Sequence, residues 1–106
     1  MNEIQRTEID KIVNEILSSV PVSEIYLFGS FAKGTEYEGS DYDFYVVIPD
    51  GGMRAREATW AIRSAISGQT RSIDMLVGTQ SKFNKYKDSI SFIEREVAET
   101  GVKLYG

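Results

Sequence analysis

Asp41 and Asp43 stand one residue apart at the mouth of an apolar run, and the dipeptide Gly29-Ser30 stands ten residues before them, at the close of another such run. In an extended chain, side chains at i and i+2 point to the same face with Cα atoms about 6–7 Å apart, so both carboxylates can share one site. Two hard cations held about 3.5–4 Å apart fit between carboxylates so placed, and clamp the attacking and leaving oxygens of a phosphoryl or nucleotidyl displacement. Asp74 offers a third ligand. It is the only acid between Ile73 and Val77, and a lone carboxylate in an apolar run is costly unless it meets a cation or water. Gly29 permits a close backbone approach, and Ser30 adds a hydroxyl where the N–H groups of a helical turn can face a triphosphate.

Each signal is weak alone. Asp-x-Asp is also what a solvated loop presents, with Asp41 capping a turn, and Gly-Ser is also an ordinary turn and cap. Gly29 to Thr35, reading GSFAKGT, has the spacing of a P-loop but carries Thr35 where its lysine belongs, which argues against that site. Taken jointly, Gly-Ser, ten residues and Asp-x-Asp fix four positions. At average residue usage a chain of this length shows that pattern by chance only about once in a thousand.

Composition narrows the chemistry further. With 106 residues the chain is expected to form one domain of ordinary size, without room for a second acceptor-binding core. It contains no cysteine and no histidine, so disulfides, thiolate zinc sites and an imidazole base are excluded. Chemistry must run on carboxylates, hydroxyls, Lys or Arg. The net charge of −4 opposes broad nucleic-acid binding, so direct contact with nucleic acid is not expected. No apolar run reaches the roughly 20 residues of a membrane span and the N-terminus lacks a signal-peptide layout, so a cytoplasmic location is expected.

The elements that must hold these residues follow from periodicity. Ile9, Ile12, Val13, Ile16, Leu17 and Val20 recur at steps of three and four and predict a helix over 2–19, ended by Pro21. Ile25 to Phe28 predicts a buried strand, Ser30 to Lys33 a helical turn capped by Ser30, and Asp43 to Ile48 a second strand stopped at Pro49-Asp50-Gly51-Gly52. A helix over 54–66 presents Ala58, Ala61, Ile62, Ala65 and Ile66 to the core, and Ile73 to Val77 makes the third strand. Ser81 is placed to cap a short helix to Tyr86. A last helix over 90–99 is expected to bury Phe92, Ile93 and Val97 before Gly101 and a closing strand from Val102 to Tyr105. Helices interleaved with strands predict an α/β or α+β class, a mixed sheet flanked by helices.

These residues resemble the minimal nucleotidyltransferases, the MNT group of the DNA polymerase β-like superfamily, whose signature is Gly-Ser-x10-Asp-x-Asp followed by a third Asp on a later strand. The matching positions are Gly29, Ser30, Asp41, Asp43 and Asp74, and the likeness extends from the helix before YLFGS to the final IEREVAETGVKLYG. It implies that residues 1–106 form a single minimal nucleotidyltransferase domain of the polymerase β-like fold. Gly29 and Ser30 would hold the β- and γ-phosphates of ATP, and the three aspartates two Mg²⁺ ions. Asp74 would also help deprotonate the acceptor hydroxyl. Lys33, where the family often has Arg, and Ser40 complete the implied nucleotide-binding set. The implied activity is transfer of AMP to a hydroxyl, a tyrosine's, on a HEPN-domain toxin, with this chain as the antitoxin in a hetero-oligomer. Two alternatives stay open: an antitoxin that neutralises by binding alone, and a transferase acting on a small molecule as a homodimer.

Other residues stand out by position. Arg71 precedes the Asp74 strand and is a further phosphate candidate. Tyr37 and Tyr42 flank the aspartates and could stack on a base or be modified. Arg56, Trp60 and Arg63 fall on the helix face opposite Ala58, Ala61 and Ile62, so Trp60 is either covered by another element or an interface anchor; because Trp is usually buried, cover is the expectation.

Overall fold

The protein is described here by a computed structural model covering all residues from Met1 to Gly106. The first helix, α1 (Glu3–Ser19), begins at a capping box: the Asn2 side chain accepts from the Gln5 N–H at 2.8 Å, and the Gln5 side chain accepts from the Asn2 N–H at 2.9 Å. Two otherwise unpaired N–H groups are thereby satisfied. Ile9, Ile12 and Ile16 form its buried stripe, as their spacing requires. Strand β1 (Glu24–Phe28) then leads through Gly29 into the single turn α2 (Ser30–Lys33), and a loop delivers the chain to β2 (Tyr42–Ile48). The crossover helix α3 (Ala55–Ala65) carries it to β3 (Ile73–Thr79), and α4 (Gln80–Tyr86), α5 (Ile93–Thr100) and β4 (Val102–Tyr105) follow.

The sheet order is β3-β2-β1-β4, with β2 and β3 parallel and the other two pairings antiparallel. This mixed sheet with helices on both faces agrees with the fold expected from the sequence. Its direction pattern fixes where chemistry can occur. The end of β1, the starts of β2 and β3 and the start of β4 all lie at one edge of the sheet. Gly29, Asp41, Asp43 and Asp74 therefore lie at this one end of the sheet although Gly29 and Asp74 are 45 residues apart in sequence.

Alternation along β2 separates two cores. Tyr42, Phe44, Val46 and Ile48 point to a face closed by Ile9, Ile12 and Ile16 of α1 and by Ala58 and Ile62 of α3. Tyr45 and Val47 point to the other face, where Phe28, Phe83 of α4 and Val97 of α5 form a smaller cluster. Burial of each such side chain contributes about 1.5–3 kcal/mol, so the larger cluster dominates stability. Asp43 lies on this second face, opposite Phe28 in the β1–β2 register and half-buried near the start of β2.

Several local expectations need correction. Gly29, not Ser30, is the cap residue of α2, because its backbone at φ 73°, ψ −151° is one only glycine holds without strain. Thr79, not Ser81, caps α4, while Ser81 instead bonds the Asp50 carboxylate. The last helix starts at Ile93 rather than residue 90, and Phe92 and Ile93 are exposed. The Phe92 ring stacks on Tyr86 at 4.1 Å between centroids, outside the core. The buried position falls instead to Glu94, only 1% exposed, whose carboxylate accepts from the Tyr45 hydroxyl at 2.6 Å with Lys82 Nζ 3.8 Å away. Trp60 is not covered: it is 75% exposed.

Candidate active site

Asp43 and Asp74 are register partners in the parallel β2–β3 ladder, so their Cα atoms lie roughly 4.8 Å apart and their side chains share one face. Asp41 sits just before β2 and is exposed, as is Asp74 on the outer strand of the sheet. Asp74 thus reaches water and is not a desolvated acid awaiting a cation. Asp43 is the half-buried member of the set. Burial first, then the carboxylates of Asp74, Asp41 and Glu96, push its pKa up from 3.8 to about 6.

Gly29 is what lets Asp43 lie so close. A Cβ placed on Gly29 would stand 2.2 Å from Asp43 Oδ2 and 3.0 Å from its Cγ, so the carboxylate rests directly on the glycine backbone. Ser30 follows as the first residue of α2, and the Lys33 N–H donates to the Gly29 carbonyl at 3.1 Å.

Of the remaining nucleotide candidates, Lys33 lies at this end, with its ammonium 2.6 Å from Glu96 Oε1. Ser40 is buried in the loop, and its hydroxyl oxygen accepts from the Tyr37 N–H at 2.9 Å. Arg71 faces the same loop: its Nη1 donates to the carbonyls of Glu38 at 2.7 Å and Ser40 at 3.0 Å, and its guanidinium lies over the Phe31 ring at 5.2 Å. It holds the segment that delivers Asp41. Glu8 anchors the preceding residue, accepting from the Thr70 N–H at 2.8 Å and its hydroxyl at 2.9 Å. Tyr42 turns into the larger core and cannot stack on a ligand here, whereas Tyr37 is exposed.

Glu96 is the site acid that sequence reasoning missed. It lies 63 positions from Lys33 and belongs to no motif. Only the antiparallel β1–β4 pairing, which brings α5 back beside β1, places it here.

The donor set suits a hard divalent cation, since every available ligand is a carboxylate or hydroxyl oxygen. The mutual repulsion that raises Asp43 is what such a cation would relieve. As the side chains lie, however, no group of three acids converges into a ready metal cage.

Residues 9–102 match the family described as the nucleotidyltransferase domain. The chain belongs to that family. No protein of curated function matches it significantly by sequence. Among solved structures, a Sulfolobus solfataricus protein assigned as a nucleotidyltransferase is 22% identical with a TM-score of 0.64, covering 92% of this chain and 76% of that one. A toxin–antitoxin MntA–HpeT mutant is 21% identical with a TM-score of 0.66, covering 92% of this chain and 72% of that one. A toxin–antitoxin structure with AMP-PNP is 22% identical with a TM-score of 0.64, over the same shares of the two chains. At these identities the likeness establishes the fold. No helix is long and apolar enough to cross a membrane.

Proposed function

We propose that residues 1–106 act as a minimal Mg²⁺-dependent nucleotidyltransferase that moves AMP from ATP to a tyrosine hydroxyl of a HEPN-domain toxin and thereby serves as its antitoxin. The observation that carries the reading is the placement of Gly29-Ser30, Asp41, Asp43 and Asp74 at one end of the sheet, with Asp43 against Gly29 and in register with Asp74. Membership of the nucleotidyltransferase family supports the reaction class. The toxin–antitoxin likenesses, one of them with AMP-PNP, support a toxin as partner and an adenine nucleotide as substrate.

The cation-binding residues would be Asp41, Asp43 and Asp74. Bound Mg²⁺ supplies neutralisation of the triphosphate and of the leaving pyrophosphate. The backbone at Gly29 and the hydroxyl of Ser30 bind the β- and γ-phosphates, and Lys33 leaves Glu96 to meet them. Asp74, exposed on the outer strand, is open to an incoming hydroxyl and accepts its proton. The acceptor oxygen then bonds to the α-phosphorus while the bond to the bridging oxygen breaks, releasing pyrophosphate. Positioning supplies most of the acceleration, which suits a chain without histidine or cysteine.

The test incubates the purified pair with α-labelled ATP and Mg²⁺, comparing wild type with Asp43→Ala. The wild type should label the partner and relieve its toxicity, and the variant should do neither. If no label reaches the partner and Asp43→Ala neutralises as well as wild type, the enzymatic reading is wrong and occlusion accounts for neutralisation.

A further inference from the structure

The side of α3 turned away from the core presents Arg56, Glu57, Trp60, Arg63 and Ser64, all exposed. Trp60, the only tryptophan in the chain, stands at its centre at 75% exposure, with Met53 and Ala61 as apolar shoulders around it. A large aromatic side chain left in water amid arginines is the composition of an interface centre.

The charge order along this face is self-complementary. Glu57 lies three positions before Trp60 and Arg63 three positions after it, so both flank the indole on adjoining turns of the helix. If a second α3 packs antiparallel about a two-fold axis through Trp60, residue 57 of one helix falls opposite residue 63 of the other. Each Glu57 then meets an Arg63, twice, with the two indoles stacked between them. Arg56 falls opposite the neutral Ser64, whose hydroxyl donates to the Trp60 carbonyl of its own helix at 2.9 Å. No like charges oppose each other in this arrangement. An isologous interface demands such self-complementarity, because each contact between different residues occurs twice.

We propose that this face is a homodimer contact, with a second copy of the chain as its occupant. The helix packs on the sheet face closed by α1, whereas Asp43 and Asp74 lie on the face shared with α4 and α5. Pairing through α3 leaves both acidic sites open and directed outward. One short helix per partner covers less than the roughly 1,200 Å² of a standard interface, so the association is weak and is to be sought at micromolar protein concentrations and above.

Sedimentation equilibrium across that concentration range tests the proposal, with acrylamide quenching of the Trp60 fluorescence as a local readout. Wild type should show a monomer–dimer equilibrium, and quenching should fall as dimer forms. Trp60→Ala should weaken association at least about tenfold. Glu57→Arg and Arg63→Glu should each weaken it, and the double variant should recover to within about threefold of wild type because both pairs re-form in reversed sense. A wild type that stays monomeric throughout, a Trp60→Ala protein that dimerises equally well, or a double variant no better than the singles overturns the proposal. All three positions are exposed, so loss of folding does not confound the result.

Discussion

Replacing Gly29 by alanine loads two costs on one atom, and the structure allows them to be separated. The backbone conformation, φ 73° and ψ −151°, is strained for any residue with a Cβ and costs about 1–3 kcal/mol. The added methyl would also stand 2.2 Å from Asp43 Oδ2, forcing that carboxylate out of its rotamer for about another 1 kcal/mol. The expected loss is about 2–4 kcal/mol, which lowers the melting temperature of a chain this size by roughly 10–20 °C. Gly34 provides a milder comparison, since its φ 73° and ψ 21° are the ordinary left-handed conformation and a Cβ there meets nothing within 4 Å. Gly34→Ala should therefore cost only its own left-handed backbone strain, about 1–2 kcal/mol. Urea unfolding followed by circular dichroism gives the free energies. The decisive measurement is Gly29→Ala in an Asp43→Ala background, where the clashing carboxylate is gone. The penalty should shrink there by about 1 kcal/mol, the coupling expected of touching residues. An equal penalty in both backgrounds would refute the contact between Gly29 and Asp43 as the reason for glycine at this position.

Asp43 also predicts a pH effect. Its folded pKa, about 6, lies above the ordinary 3.8, so its contribution to stability is full below that ordinary value and is lost as pH rises through about 6. In metal-free protein Asp43→Asn should therefore be more stable than wild type at about pH 8 and lose that advantage by about pH 4, the difference being about 1 kcal/mol after solvent screening. Added Mg²⁺ should stabilise wild type and not this variant, and parallel pH profiles for the two proteins would contradict the reasoning. Tyr45→Phe removes the hydroxyl that Glu94 accepts from in the core, so chemical denaturation should register a loss of about 1–3 kcal/mol. Glu94→Gln, which keeps an acceptor, should lose less. Arg71→Ala releases the Glu38 and Ser40 carbonyls, so hydrogen exchange across 37–41 should accelerate at least about tenfold, a loss of about 1.4 kcal/mol or more; unchanged exchange would mean that the loop is ordered without Arg71.

The parts of the fold set by short-range rules could be read from the sequence. Ile9, Ile12 and Ile16 announced α1, the β-branched and aromatic runs announced β1 and β2, and the unusual Gly-Ser and Asp-x-Asp spacing pointed to the end of the sheet where those residues meet. Parallel register could not be read, because nothing in a strand's own sequence says which residue stands beside it; that Asp74 pairs with Asp43 emerged only from the ladder. Glu96 was hidden for the same reason, being brought to Lys33 by the return of the chain through β4. Phe92, Ile93 and Trp60 misled because apolar character was read as burial. At the start of α5 the position that actually faces the core belongs to Glu94, made tolerable by Tyr45.

The absence of a side chain at Gly78 acts as an index mark for the whole site. A Cβ there would stand 2.2 Å from the Tyr45 hydroxyl, so Tyr45 can reach Glu94 only across a glycine. Sliding β3 by one residue is already forbidden, because it would turn Asp74 into the larger core. Sliding it by two keeps every residue on its proper face, and the alternation of apolar positions offers no objection. That slip, however, would set Leu76 or Gln80 beneath the tyrosine in place of Gly78. The placement of Asp74 beside Asp43 is thus checked four residues away, by a gap that accepts one alignment of the two strands and rejects the next.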